Sequence, residues 1–376
     1  MEELIRFDRA GSRQQLAVAT LVREKPLNSL LLETIDRLAE TIDAWLADDS
    51  IACIVLDSSS TRAFCAGADI AALYHAIQNS KGGDSPYAQA FFLNEYKLDY
   101  ALHTATKPIV VWGHGIVMGG GLGLLGGCSH RIGTPATRIA MPEITIGLFP
   151  DAGGTKFLSD MPEHLGLFSG LTGCQLSAGD ALELGLLDVV VDPEKKDSIF
   201  AELAALPWGA SEQNNCQLVT TLLDQYRTSD TLRMNLLPRR DRVTELMAAC
   251  LDAEDFFTLF DSTNAFGDEW LDAAMTTYKH GSPTTARVFI EQMRRANGMS
   301  LADMFRMELV IAYQCIRHPD FPEGIRALLI DKDRNPDWTY KSALDIPDSY
   351  VDAHFVPAWS GAHPLEALGN QNMSQG

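Results

Sequence analysis

The chain is short of positive charge: Lys and Arg number 30 against 50 Asp and Glu, a net charge of −20. Nucleic acids and anionic membrane surfaces need a dominant basic face, so neither is expected as a partner. A phosphate-bearing ligand held by a few local Lys or Arg residues is still open. Paired cysteines are lacking too. The seven are scattered at positions 53, 65, 128, 174, 216, 250 and 315, with no CxxC. That pattern argues against a disulfide framework or a zinc ribbon and for reduced thiols in a cytoplasmic protein. "MEELIRF" offers no basic start before an apolar stretch, so no signal peptide is expected. There is no GxSxG and no GxxxxGK[ST], which speaks against serine-hydrolase and P-loop chemistry. His75, His103 and His130 lack metal-ligand spacing, and no metal is expected.

What is present is a large core and a change of texture. An apolar content of 46% over 376 residues supports about two to three structural units. One almost uncharged run, Pro108 to Cys128, is long enough to mimic a membrane span, but its eight glycines argue for tight packing instead. "LAVATLV" (16–22) and "IACIVLDSS" (51–59) read as strands. Between them, apolar residues at 31, 35, 38, 42, 45 and 46 keep a helical period. Strand and helix patterns alternate to about residue 195, an α/β layout. Beyond it helical patterns dominate, with Ser282 before Pro283 and Ser300-x-x-Asp303 as helix starts. The expected division is a core over 1–195 and a mainly helical region over 196–376, with a polar tail after Ala362 that frays.

Three stretches carry the chemistry. "RAFCAGADI" (62–70) and "HGIVMGGGLGLLGG" (114–127) each lead from a strand towards a helix through small residues. Main-chain N–H groups at such helix starts point outward, and two from separate loops can form an oxyanion hole. The same glycines would equally serve close helix packing. His114, between glycines in an apolar run, reads as a hydrogen-bonded core histidine. "PEITIGLFPDAGGT" (142–155) places Glu143 and Asp151 eight residues apart in a segment otherwise apolar, small or hydroxylic. Buried carboxyls in proximity tend to hold one member protonated and can divide acid and base duties.

"FCAGADI", "HGIVMGGGLGL" and "MPEITIGLFPDAGGTKFL", in this order and spacing, resemble the signature blocks of the crotonase (enoyl-CoA hydratase/isomerase) superfamily. The resemblance implies a spiral of ββα units with perpendicular sheets and an acyl-CoA substrate, coenzyme A being part of that substrate and not a cofactor. It implies that the N–H groups of Ala68 and Gly120 hold the thioester oxygen. It sets Lys25 and Leu27 at the CoA-contacting turn, with Ala66, Asp69 and Ile70 on the adenine side; Asp69 reads equally as a helix cap. The hydratases place a second glutamate where this chain has Gly123, a departure that argues against ordinary hydration. Asp151, Glu95 in "FFLNEY" and "EGIRALLIDKDRNPDW" resemble instead the 3-hydroxyisobutyryl-CoA hydrolase branch, and with the last block the likeness spans nearly the whole chain.

On that resemblance, Glu143 attacks the thioester carbonyl or activates the water that does, Asp151 orients the water or manages the proton, and Glu95 meets the acyl hydroxyl or supports the pair. Asp151 as a plain turn residue, and Glu95 on a solvated helix face, are the bland readings. Other crotonase reactions and a non-catalytic acyl-CoA-binding role stand as alternatives, and a homo-oligomer is left open.

Overall fold

The computed structural model describes residues 3–80, 84–263 and 266–369. The chain divides into two units, each drawing on both sides of residue 196. One comprises Met1–Ala68, Lys97–Ile139 and Gln175–Leu237; the other comprises Asp69–Tyr96, Ala140–Cys174 and Pro238–Gly376.

The first unit carries the sheets. Its strands are β1 (Ile5–Ala10), β2 (Leu16–Leu21), β3 (Cys53–Ser58), β4 (Ala63–Cys65), β5 (Ile109–Gly113), β6 (Ile116–Met118), β7 (His130–Gly133), β8 (Arg138–Ala140), β9 (Leu176–Ser177) and β10 (Val189–Val190). They form a six-stranded sheet in the order β1-β2-β3-β5-β7-β10 and a four-stranded sheet in the order β4-β6-β8-β9. From β2 to β10 the larger sheet is parallel, and parallel strands must be covered on both faces. That is why β3 is buried at every position. The two-residue period sorts its side chains. Cys53, Val55, Val110 and Trp112 join a cluster with Ile199, Leu203, Val219 and Leu222, which come from the helices Lys196–Ala205 and Glu212–Asp224. Ile54 and Ile109, opposite one another in the register, point to the other face.

The glycine-rich run 108–128 is not one span. It is divided among β5, β6 and the helix Gly120–Gly126, and among the described residues no helix is long and apolar enough to cross a membrane.

The second unit is built of helices. Ser282 caps the helix Pro283–Ala296 by accepting from the Thr285 N–H, and Ser300 caps Leu301–Arg317 by accepting from the Asp303 N–H, as the sequence suggests. Phe92, Tyr96, Phe305 and Phe321 pack ring against ring at its centre. The tail after Ala362 does not fray at once. The Arg306 guanidinium donates to the carbonyls of Leu365 and Glu366, each at 3.1 Å, and Leu365 is buried. Residues 370–376 lie outside the described residues.

Candidate active site

Glu143 opens a short 3₁₀ turn, Glu143–Ile146, that ends at Gly147. Gly147 has φ +69°, and a Cβ there would lie 2.4 Å from the Asp320 carbonyl oxygen, so glycine alone fits. The turn is fixed from the far end of the sequence: the Ser282 N–H donates to the Ile144 carbonyl at 2.9 Å. Asp151 follows on a second bend, closed by the Gly154 N–H on the Asp151 carbonyl at 2.7 Å. Ala152, next in the chain, has φ +52°, a left-handed conformation that costs a residue bearing a Cβ. Glu143 and Asp151 are 5% and 4% exposed, so water does not screen them.

Their hydrogen bonds differ. Asp151 Oδ2 accepts from the Tyr96 hydroxyl at 2.7 Å, whereas among the described residues Glu143 Oε2 has no hydrogen-bond partner. Burial, and then the Asp151 charge beside it, hold the Glu143 carboxyl well above the ordinary range. Burial pushes Asp151 up to about 7, against the opposing pull of the Tyr96 hydrogen bond. Burial and the surrounding Asp151, Glu308 and Glu95 charges raise the Tyr96 phenol well above its usual value, so it stays a donor.

A third acid was not singled out in the sequence. Glu308 lies inside the helix Leu301–Arg317, fully buried. It accepts from the N–H groups of Gly153 and Thr155, both at 2.9 Å, and from the Thr155 hydroxyl at 2.5 Å. Gln292, also fully buried, donates to the Pro150 carbonyl at 2.9 Å and to the Thr155 hydroxyl at 2.7 Å. Burial raises Glu308 to about 7, partly offset by these three donors. The loop bearing Asp151 is thus gripped on its backbone by two side chains that stand some 140 to 155 residues later in the chain. A signal existed: Glu308 is spaced three from Phe305 and four from Met304, on the apolar stripe of its own helix. Glu95 is 2% exposed, which overturns the solvated-face reading, and it contributes to the field at Tyr96.

The remaining predicted residues sit in strand-to-helix loops. Ala68 follows Gly67, whose φ is +92° and whose hypothetical Cβ would lie 2.9 Å from the Met118 carbonyl and 3.3 Å from the Gly120 nitrogen. The two glycine loops therefore touch backbone to backbone. Among the described residues, neither the Ala68 nor the Gly120 N–H donates a hydrogen bond within the protein. Lys25 is exposed and Leu27 half-buried on a turn with φ +56° at both Leu27 and Asn28. The Ala66 N–H donates to the Leu27 carbonyl at 3.0 Å, which ties that turn to the first glycine loop. Asp69 accepts from the Ala72 N–H at 3.0 Å and so caps the helix Ile70–Gln78, on which Ile70 is the first residue. His114 is a hydrogen-bonded histidine, its Nε2 2.5 Å from the Ser60 carbonyl.

The enoyl-CoA hydratase/isomerase family model matches residues 16–355. The chain belongs to that family. Among its curated relatives, the mitochondrial 3-hydroxyisobutyryl-CoA hydrolase of Gallus gallus is 34% identical over 340 residues, covering 90% of this chain and 86% of the relative. A solved carnitinyl-CoA dehydratase from Mycobacterium thermoresistibile superposes with a TM-score of 0.82 at 30% identity, over 95% of this chain and 97% of that one. An enoyl-CoA hydratase from Rhodobacter sphaeroides gives 0.81 at 27% identity, over 95% and 98%. This member of the enoyl-CoA hydratase/isomerase family carries no side chain at Gly123, which is buried within the helix Gly120–Gly126.

Proposed function

We propose that this chain hydrolyses a short 3-hydroxyacyl-CoA thioester, with 3-hydroxyisobutyryl-CoA as the substrate, giving 3-hydroxyisobutyrate and CoA as in valine catabolism. The observation that carries this reading is the buried pair Glu143 and Asp151, raised together in pKa, with Gly123 where a hydratase glutamate would stand. Hydrolysis needs one group to take a proton from water and another to supply one to the departing sulfur, and two carboxyls with raised pKa values suit that division. The N–H groups of Ala68 and Gly120 are assigned to the thioester oxygen. Glu95 is assigned to the acyl hydroxyl, and Lys25, Leu27, Ala66, Asp69 and Ile70 to the CoA moiety, which enters as part of the substrate. The name of the Gallus gallus relative agrees with the reaction. That relative is mitochondrial by name; the cytoplasm is our reading for this chain, from seven scattered cysteines with no CxxC that fit a reducing compartment.

A second reading is hydration or dehydration of an enoyl-CoA, favoured by the names of the two solved structures above. Purified protein with 3-hydroxyisobutyryl-CoA and, separately, crotonyl-CoA separates the two. Thiol release from the hydroxyacyl thioester alone is the expected outcome. Loss of the conjugated enoyl absorbance without thiol would replace our reading with the second.

A further inference from the structure

The block "EGIRALLIDKDRNPDW" (323–338) carries much of the family likeness, yet the reaction as assigned gives it no task. In the fold its second residue presses on the turn that bears Glu143, and its last residue ties down another segment that does the same. A Cβ on Gly324 would lie 2.4 Å from the Ile146 carbonyl carbon. One on Gly281 would lie 2.6 Å from Ile144 Cγ1 and 3.1 Å from the Ile144 carbonyl oxygen. The segments 281–282 and 320–324 therefore lie directly against the 3₁₀ turn Glu143–Ile146, the first with the Ser282 N–H on the Ile144 carbonyl, the second with the Asp320 carbonyl against Gly147. All of these residues belong to the second unit.

One carboxyl joins the two segments. Asp320 is 3% exposed, and its Oδ2 accepts from the Ser282 hydroxyl at 2.8 Å. Its Oδ1 accepts from the Thr339 N–H at 2.8 Å and from the Thr339 hydroxyl at 2.7 Å. Beside Thr339, the Trp338 indole N–H donates to the His280 carbonyl at 3.1 Å, next to Gly281. A buried carboxyl is costly unless its oxygens are satisfied, and an apolar side chain of similar size would stabilise the fold at least as well. What the carboxyl adds is a fixed spacing between the segments on which the turn rests. Close-packed interiors pass a displacement on instead of absorbing it. A change in that spacing moves Ile144 and Ile146, and Glu143 with them.

We propose that Asp320 is a positioning residue for Glu143: by joining Ser282 to Thr339, its carboxyl holds the two segments at one spacing and so sets where the Glu143 carboxyl stands. The proposal rests on Glu143 being a reacting acid, as in the hydrolase reading above. It gives the block 323–338 its task, since Gly324 allows the close approach and Trp338 and Thr339 close the link from the far side.

The test is steady-state thiol release from 3-hydroxyisobutyryl-CoA by Asp320→Ala and Asp320→Asn beside the wild type. Misplacing a reacting group by about 1 Å costs on the order of 10² in rate, so Asp320→Ala should lose about 10²-fold in kcat with KM little changed. Asp320→Asn keeps an oxygen for Thr339 and offers an amide N–H to the Ser282 oxygen, so it should recover most of that loss. A folded Asp320→Ala enzyme with wild-type kcat and a lowered Tm would overturn the proposal and mark the carboxyl as a staple of the fold alone. An Asp320→Asn enzyme as slow as Asp320→Ala would overturn it too, because the link would then not be what matters. Should Asp320→Ala not fold, Ser282→Ala decides, since it breaks the bond to Asp320 and keeps the main-chain bond to Ile144. A fall in kcat at little-changed KM supports the proposal; a lowered Tm from the lost helix cap, with kcat unchanged, overturns it. The hydrolase reading fails separately. A wild type that hydrates crotonyl-CoA and releases no thiol strikes that reading, and the same split of kcat from KM is then read on hydration. A wild type that turns over neither thioester strikes both.

Discussion

The unit that holds Ala68 and Gly120 offers main-chain N–H groups; the unit that holds Glu143 and Asp151 offers buried carboxyls. The first kind of group needs only a fixed backbone path, and that path is set by close neighbours: Gly67 against Met118 and Gly120, and the Leu27 turn against Ala66. The second kind needs exclusion of water and support from afar: Tyr96 on Asp151, Glu308 and Gln292 on the loop behind it, and Ser282 on the turn of Glu143. The backbone device is thus closed by its own loops and the carboxyl device also by side chains up to 155 residues later in the chain, and they should fail differently under mutation.

The sharpest break is expected from Glu143→Gln. It should lower kcat for thiol release by about 10³-fold, within the usual range for loss of an acid–base group, with CoA-thioester binding nearly unchanged. Equal losses of binding and turnover, read by calorimetry beside the thiol assay, would instead mark Glu143 as structural. Gly67→Ala addresses the backbone device. Its methyl group would crowd the Met118 carbonyl and the Gly120 nitrogen, and about a 10²-fold loss in kcat is expected, as for removal of one oxyanion donor. A variant with full activity would separate the Gly67 loop from catalysis.

Glu308→Gln tests the distributed support and should act on stability first. It leaves an amide facing N–H donors in a buried site, at a cost of about 1–3 kcal/mol and a lowered Tm. A pH dependence follows from Asp151 and Glu308, both raised to about 7 from ordinary values of 3.8 and 4.5. The folded state holds their protons where the unfolded state has already lost them. Their contribution is therefore fully present below the unfolded pKa values and is lost as pH rises through about 7. Asp151→Asn should flatten that decline in chemical denaturation between pH 5 and 8; an unchanged slope would assign the decline elsewhere. The smallest effect is expected at Asp69. Asp69→Ala should cost about 1 kcal/mol as a lost cap, and a rise in KM beyond that loss would mark a substrate contact as well.

Legibility in the sequence follows the same division. The parallel strands were visible because burial on both faces leaves unbroken apolar runs such as Ile51–Leu56. The glycine loops were visible because close backbone approach forbids side chains. Glu143 and Asp151 could be read because acids are conspicuous in an apolar segment. Glu308, Gln292 and Tyr96 were not read as members of the same site. Each looks at its own position like part of an amphipathic helix, and only the fold brings them to residues 150–155. The long glycine-rich run, read by composition, left a membrane span open until its division into strand, strand and helix was seen.

The grip of Glu308 on Thr155 crosses 153 residues of chain. On a ribosome adding about 5–20 residues per second, that separation amounts to roughly 8–30 s between making the loop and making the side chain that holds it. During that interval the three crotonase-like blocks would already be synthesised while the acid loop lacked the Glu308 carboxylate. A premature stop shortly before residue 308 would yield a chain with the three crotonase-like blocks intact but without the carboxylate that holds the Gly153 and Thr155 N–H groups.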